Sequence, residues 1–585
     1  MFRNPLIAAV LALVLAAPAA AQTTTLMPGV TYERGIQFTS HGPVAIHIVR
    51  GPRPTGLYAL RPTLSNETIQ GVERVTSMQK RLSPGATMVG VNGDLFAGSG
   101  RPSGVLMRNG VVESPPYGDR SSVGLSPDGA LDVRRVEFFG TWRGLGQRRA
   151  LNDMNQSPGA NAISLFTPSY GPATPVQPGV TEVVISPFPA TAPNTDLTGP
   201  VVQVAGGGGT SIPPGGAVLV ARGTTAQRLI EEAPVGIPLT LRIILRPEWT
   251  GITNAVGGGP VIVRRGGPVF RSQEAFTSSQ LAPRNPRTAV GQLADGRVLL
   301  VVVDGRRAGY SVGMTNFELA QTLVRLGATT GSALDAGGSS TLAFDGQLLN
   351  RPSDPGGERA VSTSLQLMYF GVYSPTLDAV ISPNGDGYAE TQRQLSYKVV
   401  RPSSVTATLV APGGATAYTE TVQRAPGTYP VAFPPVDSTQ PISPAEGRWR
   451  LEVSAGDDLG QASTTSQSFT VNNTLGFARL SRRSLVVRVG GKQSISAGVT
   501  LTRAAQVTAT VETTSGVRVA TIAVRRLAAG RFSAGWRGTT RGGKFLVYGG
   551  MYAVRFRATN QLGSVELVSP AFRVIRAAPL PKKKR

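Results

Sequence analysis

Beyond its first two dozen residues, this chain never sustains a long apolar run. Its 71 glycines and 45 prolines cut the apolar stretches into short pieces. VAIHIV (residues 44–49) and RVLLVVV (residues 297–303) are typical, each bounded by Gly, Pro, Asn or Asp. A globular helix needs about eleven residues to make its turns, whereas a strand is complete in about five. From Val44 to Tyr369 the chain is therefore read as strand-rich. Two segments carry the 3.6-residue period of a helix, residues 73–82 and residues 315–326. In TNFELAQTLVRL, Thr315 and Glu318 have the spacing of a capping box, Phe317, Ala320, Leu323 and Val324 share a face, and Gly327 closes the segment. Glu318 is thus assigned to capping.

Composition removes several kinds of chemistry. There is no cysteine, which excludes disulfides, thiolate nucleophiles and Cys-ligated zinc. The two histidines, His41 and His47, are too few for a multi-histidine metal site, and a histidine-based triad is not expected. Catalysis must then rest on carboxylates, hydroxyls, arginines and backbone groups. The net charge is +24, and all but seven of the 58 basic residues are arginine. The arginines are scattered along the chain, so nucleic acid is not expected as a partner. The N-terminus has Arg3, an apolar run from Leu6 to Ala17 and Ala19-Ala20-Ala21 before Gln22, the pattern of a cleaved signal peptide. The run is shorter than the roughly 20 residues of a membrane span. The expectation is a secreted or cell-surface protein starting near Gln22, with no membrane span in the mature chain.

Three buried-strand patterns end alike. MVGV leads to Asn92-Gly93-Asp94, RVLLVVV to Asp304-Gly305-Arg306, and SAL to Asp335-Ala336-Gly337-Gly338. Each alone is an ordinary Asx turn. Three together, the last continuing into Ser339-Ser340-Thr341, point to a shared site at strand ends, where loops carry function.

The segments 286–306, 315–328 and 334–359, with VNGDLF, PSGVLMRNGVV and GGGPVIVRRGGPVF upstream, resemble the phosphodiester glycosidase family, that of the lysosomal uncovering enzyme. The resemblance spans about residues 29–372. It implies an α+β catalytic domain with a mixed β-sheet that hydrolyses a sugar-1-phosphodiester to free sugar and a phosphate monoester. Glycosidases use paired carboxylates around an oxocarbenium-like transition state. Asp304 and Asp335 are the expected catalytic pair, with Asp94 and then Glu358 in reserve. Arg287, Arg306 and Arg359 would pair phosphate oxygens. Gly337 and Gly338 would let backbone N–H groups approach the phosphate, and Ser339, Ser340 and Thr341 would donate to it or to the sugar. Asn92, Thr288 and Asn350 complete the substrate-binding set. One departure stands out: the family reads LDGGGSST and this chain has Ala336 at the first glycine. Trp142 and Tyr170 are assigned to core packing ahead of sugar stacking.

Beyond Tyr373 two segments of about 100 residues alternate short β-runs and turns, as Ig-like sandwiches do. The second resembles the Ig-like module of flagellar hook-capping proteins. The expected domains are a signal peptide (1–21), a phosphodiester glycosidase domain (22–372), Ig-like domains at 373–475 and 476–577, and a basic disordered tail (578–585). No cofactor is expected to be required. In SPNGDG, Asn384 and Asp386 are candidate calcium ligands with Glu390, but Ser382 and Arg393 stand where a calcium loop has acids, and a plain turn is favoured. The expected partner is a sugar-phosphate or glycan substrate from cell-wall, capsule or exopolysaccharide material, with an anionic surface polymer as a further candidate. The alternative is a non-catalytic glycan- or matrix-binding surface protein using the same cradle.

Overall fold

The computed structural model describes residues 23–376, 380–386, 395–433, 436–437, 440–441, 444–489, 491–540 and 547–578. The expected signal peptide, Glu390, Arg393 and nearly all of the basic tail lie outside them. The chain forms two compact units that part between Tyr369 and Phe370, with Pro84–Thr87 grouped with the second. Both are mostly β.

The sheet that positions the site has eight strands, in the order Thr23–Met27, Val30–Thr39, Gly42–Gly51, Val298–Val303, Arg287–Leu293, Ala328–Ala333, Val261–Arg264, Gly267–Pro268. Every pairing in it is antiparallel, and short hairpin connections demand this of four of them. This is not the expected mixed sheet. A parallel pair occurs in a second eight-stranded sheet of this unit, between Asp153–Met154 and Ile163–Phe166. Helices are too few to layer a sheet on both faces, which is what an all-parallel sheet requires. Trp142 is wholly buried in that second sheet's core, and Tyr170 packs edge-on against Phe166.

All six residues of Val298–Val303 are buried. The helix Asn316–Arg325 covers one face of this sheet, its Leu319, Ala320 and Leu323 meeting Val44, Ile46, Leu299, Val301 and Ala289. Each leucine so buried stabilises the fold by roughly 1.5–3 kcal/mol. The helix starts where its sequence dictates: the Glu318 N–H donates to the Thr315 hydroxyl at 3.1 Å, and the Thr315 N–H donates to the Glu318 carboxylate at 2.9 Å.

Antiparallel register decides what meets at the sheet's end. Arg287 pairs with Val303 and Ala289 with Ala333. The first residues of the central strand therefore lie beside the last residues of both neighbours, which brings Arg287, Asp304 and Asp335 to one end. A second, five-stranded sheet contains Thr87–Asn92 and Leu342–Phe344 as neighbours. The LDAGGSST loop leaves the first sheet at Ala333 and enters the second at Leu342.

In the second unit, two facing sheets enclose a core of Tyr397, Val405, Leu451, Trp449 and Phe469, and two more enclose Val507, Val554, Phe556, Trp536 and Phe572.

Candidate functional site

A cavity of 260 Å³ opens where the LDAGGSST loop leaves its strand. Asp335, Ala336 and Gly337 form one wall, Arg287, Asn285 and Arg306 another, with Asn316 and the apolar Leu95, Pro260, Phe276 and Leu281 completing it. The Asp335 N–H donates to the Gly93 carbonyl at 3.0 Å, and the Asn92 amide donates to the Asp335 carbonyl at 2.8 Å. The Asp335 carboxylate accepts from the Ala336 N–H at 2.8 Å. Burial pushes its pKa above the ordinary carboxylate value, against the opposing pull of the Ser339 hydroxyl, the Ala336 N–H and Arg359.

Asp94 sits behind this wall. It is 2% exposed, and its carboxylate accepts from the Gly104 N–H at 2.6 Å. Gly257 packs so closely that a Cβ there would stand 2.3 Å from Asp94 Oδ2. Burial, and then the charge of Asp335, push the Asp94 pKa up to about 7 in spite of that backbone hydrogen bond. The charge of Asp335 thus acts on Asp94.

Asp304 has a different setting. It is 1% exposed and surrounded by donors. Its Oδ2 accepts from His47 Nε2 at 3.0 Å and the Tyr310 hydroxyl at 2.7 Å, and its Oδ1 accepts from Asn350 Nδ2 at 3.0 Å and the Arg351 N–H at 3.1 Å. Burial alone would raise its pKa, but the His47, Tyr310 and Asn350 bonds outweigh it and hold it below the ordinary value. Asp304 does not line the cavity. It is a hub that joins the sheet to the 305–313 and 350–351 loops. His47, set aside from catalysis by the sequence reading, is its partner, and its Nδ1 lies 2.8 Å from the Tyr32 hydroxyl. The signal was legible: a histidine inside VAIHIV is a buried polar group that must find a partner.

The arginines divide in the same way. Arg287 is buried and donates to the carbonyls of Met314, Gln280, Leu281 and Pro283 at 2.7–3.2 Å. It clamps the surrounding loops, and the expected bidentate phosphate grip is corrected because those carbonyls occupy its donors. Burial, and then Arg306, lower its pKa to about 10. Arg306 is exposed, is anchored by Nε to Asn285 Oδ1 at 3.0 Å, and reaches its terminal nitrogens over Gly337. Arg359 is also exposed, donates to Asp354 at 2.8 Å and lies against Gly338.

The glycines serve these arginines. A Cβ on Gly337 would stand 2.9 Å from Arg306 Nη2, and one on Gly338 would stand 2.0 Å from Arg359 Nη2. Gly337 also has φ +70°, and its N–H donates to the Pro286 carbonyl at 3.0 Å, so it is not turned to a ligand as expected. Ala336, at the family's first glycine position, has φ −124°, an extended conformation that any residue adopts.

The remaining predicted residues hold the frame. Asn92 is wholly buried and accepts from the Thr288 hydroxyl at 2.8 Å and the Thr341 N–H at 3.1 Å. Asn350 bonds Asp304, the Ser340 carbonyl and the Leu342 N–H. Ser340 and Thr341 are buried and line no part of the cavity, whereas Ser339 reaches Asp335. Glu358 caps the helix Val75–Leu82 by accepting from the Thr76 N–H at 3.0 Å and from its hydroxyl, which leaves it no reserve catalytic role. In the second unit the Asp386 carboxylate accepts from the Phe477 N–H at 2.6 Å and Asn384 donates to the Leu475 carbonyl at 3.2 Å.

Sequence reasoning missed Asn316, the first residue of its helix. It is 8% exposed, lines the cavity, and its amide oxygen has no hydrogen-bond partner.

Residues 198–368 match the phosphodiester glycosidase family, and residues 484–561 match the FlgD Ig-like domain. The first match includes Arg287, Asp304, Arg306, Asp335 and Arg359 and begins after Asn92 and Asp94. Over 119 residues the chain is 34% identical to the SPbeta prophage-derived uncharacterized protein YomE of Bacillus subtilis (strain 168), covering 20% of this chain and 18% of that protein's length. A hypothetical protein from Synechocystis shares the fold, with a TM-score of 0.51 at 24% identity over 60% of this chain and 64% of that one. The zebrafish N-acetylglucosamine-1-phosphodiester alpha-N-acetylglucosaminidase catalytic domain, auto-inhibited by its pro-peptide, aligns at 14% identity over 58% of this chain and 83% of that one. Its TM-score of 0.31 carries no structural argument.

Proposed function

We propose that this chain, whose residues 198–368 make up a phosphodiester glycosidase domain, hydrolyses a sugar-1-phosphodiester to free sugar and a phosphate monoester. The observation that carries the reading is one carboxylate, Asp335, and one exposed guanidinium, Arg306, in the cavity wall, with a second exposed guanidinium, Arg359, paired with Asp354 and seated over the adjacent Gly338. Arg306 and Arg359 would neutralise the phosphodiester and hold it as a leaving group. The bond between anomeric carbon and phosphate oxygen breaks, the phosphate leaves with the electron pair, and water supplies the new anomeric hydroxyl and gives its other proton to the released phosphate monoester or to solvent. Phosphate departs readily, so the reaction needs little acid assistance. Ionised Asp335 would stabilise the positive charge that develops on the sugar. Asp94, whose pKa burial pushes up to about 7, is protonated below that and adds no competing negative charge there. The unpartnered Asn316 amide would take a sugar hydroxyl.

The scheme departs from an Asp304–Asp335 pair. It gives Asp304 the task of holding the loops that carry Arg306 and Arg351. It asks for no cofactor, and a calcium ion at Asn384 and Asp386 would have no part in these steps. Ala336 is extended and unstrained, which supports the catalytic reading over a non-catalytic one. The signal-peptide pattern supports action outside the cytoplasm, on cell-wall, capsule or exopolysaccharide material. The test is incubation with several sugar-1-phosphodiesters in H₂¹⁸O, assaying free sugar and phosphate monoester separately. An unlabelled phosphate monoester supports the reading, and label in the phosphate would replace it with P–O cleavage.

A further inference from the structure

The two Ig-like segments share an architecture and differ in charge. Residues 373–475 hold six basic and nine acidic residues, whereas residues 476–577 hold 17 basic and two acidic ones. Both acids of the second module are already committed. Glu512 pairs with Arg555, and Glu566 with Arg555 and Arg557. The other cations of that module have no carboxylate of their own module left to neutralise them.

Five of them gather along one edge. Ser484–Val487 is the last strand of its sheet and runs parallel to Phe572–Arg576, with Ser484 beside Arg573 and Val487 beside Arg576. Arg482 and Arg483 precede the edge strand, and the Arg573 N–H donates to the Arg483 carbonyl at 3.0 Å. Arg488 follows the edge strand, next to Arg576. The result is two clusters three residues apart along the edge, about 10 Å at the rise of a strand, with Arg573 and Arg576 on opposite faces of it. Beside the second cluster Tyr548 is 79% exposed, with the Arg576 guanidinium 5.9 Å from its ring centre. Val489 and Ile575 are exposed there too.

Cations alone would suit any polyanion. Cations spaced along an edge, with an open aromatic face and small apolar neighbours, suit a chain that alternates negative charge and sugar rings. We propose that the edge formed by Arg482, Arg483, Arg488, Arg573 and Arg576 with Tyr548 binds a phosphate-bearing polysaccharide. It would hold a polymeric substrate for the glycosidase domain, and in that respect it rests on the function proposed above. Binding is electrostatic in strength and set by the aromatic in its preference for glycan.

The experiment uses the full chain carrying Asp335→Asn, so that binding is read without turnover. Its probe is a polymer of N-acetylglucosamine-1-phosphate, with neutral dextran and single-stranded DNA in parallel, across a salt series. The expected result is salt-dependent binding of the phosphate polymer and none of dextran. Adding Arg573→Glu and Arg576→Glu should weaken binding at least about 30-fold and lower the salt slope by roughly two. Tyr548→Ala should weaken binding of the phosphate polymer. Unchanged binding in the charge-reversed protein, equal binding of dextran, or tighter binding of DNA than of the glycan would each overturn the proposal. With Asp335 intact, the charge-reversed protein should turn over a soluble small sugar-1-phosphodiester at the unaltered rate, so a failure of the edge and a failure of the glycosidase reading are told apart. Arg482→Ser with Arg483→Ser, outside the strand ladder, repeats the binding test should the first pair disturb the fold.

Discussion

Asp304 follows Val303 and Asp335 follows Leu334, at the same end of one sheet. Around Asp304 the chain has gathered a histidine, a tyrosine, an asparagine and a backbone N–H, and its pKa is held low. Around Asp335 it has left a cavity, two anchored arginines and a second buried carboxylate, and the pKa is raised. An aspartate after a buried strand is therefore only an opportunity. Donors that use up its oxygens make it a structural hub, and an open face with exposed cations makes it available for chemistry.

The largest separation should come from replacing each by asparagine. Asp335→Asn should lower turnover by roughly 10²–10⁴-fold with little change in melting temperature, the scale of a lost acid–base or electrostatic partner. Asp304→Asn should instead destabilise the fold by about 3–5 kcal/mol, because removing one partner of a buried network leaves the rest unpaired. Its activity should track the folded fraction in a denaturation series. Equal melting temperatures for the two variants would break the comparison.

The arginines sharpen it. Arg306→Ala should raise KM for charged phosphodiesters by roughly 10–100-fold and leave stability alone. Arg287→Ala should loosen the four carbonyls it clamps and lower stability by about 2–4 kcal/mol. A selective KM effect for Arg287 would restore it to the phosphate site.

The pH dependence should have opposite signs on the two sides. Between about 4, the ordinary carboxylate value, and about 7, Asp94 is protonated in the folded chain and ionised in the unfolded one. Stability should therefore fall as pH rises through that window, and Asp94→Asn should flatten the slope. Asp304, held low, is ionised when folded and stabilises above the ordinary carboxylate range. That contribution should be lost as pH drops below the range, and Asp304→Asn should flatten the acid limb. Urea unfolding at a series of pH values reads both.

The smallest effect belongs to Ala336→Gly. With φ at −124° the alanine is unstrained, so restoring the family's glycine should lower stability by about 0.4–1 kcal/mol through the unfolded chain and bring no gain in rate. A clear rise in turnover would mean the loop needs freedom that this conformation does not reveal.

Much of this was legible in the residues. Glycine and proline density, short buried runs and the capping box at Thr315 are local signals, and local signals specified the strands, the helix and the loops that end them. The roles of Asp304 and Arg287 were not legible, because both depend on which distant donors and acceptors the register brings alongside. His47 lies 257 residues from Asp304 in sequence. Asn316 was hidden by its place in a convincing helix start. The glycines of LDAGGSST were read as room for a ligand. They are room for the arginines, a distinction that side-chain packing alone reveals.

The account turns on where the anomeric carbon sits, and a crystal structure of the Asp335→Asn protein with an uncleaved sugar-1-phosphodiester measures that. The account predicts the phosphate between Arg306 and Arg359, the anomeric carbon about 3–4 Å from the residue 335 side chain, and a sugar hydroxyl on Asn316. A phosphate held instead by Arg34 and Arg351, which flank Tyr310 with their guanidinium carbons 5.7 and 4.8 Å from its ring centre, would put the chemistry at Asp304 and contradict it.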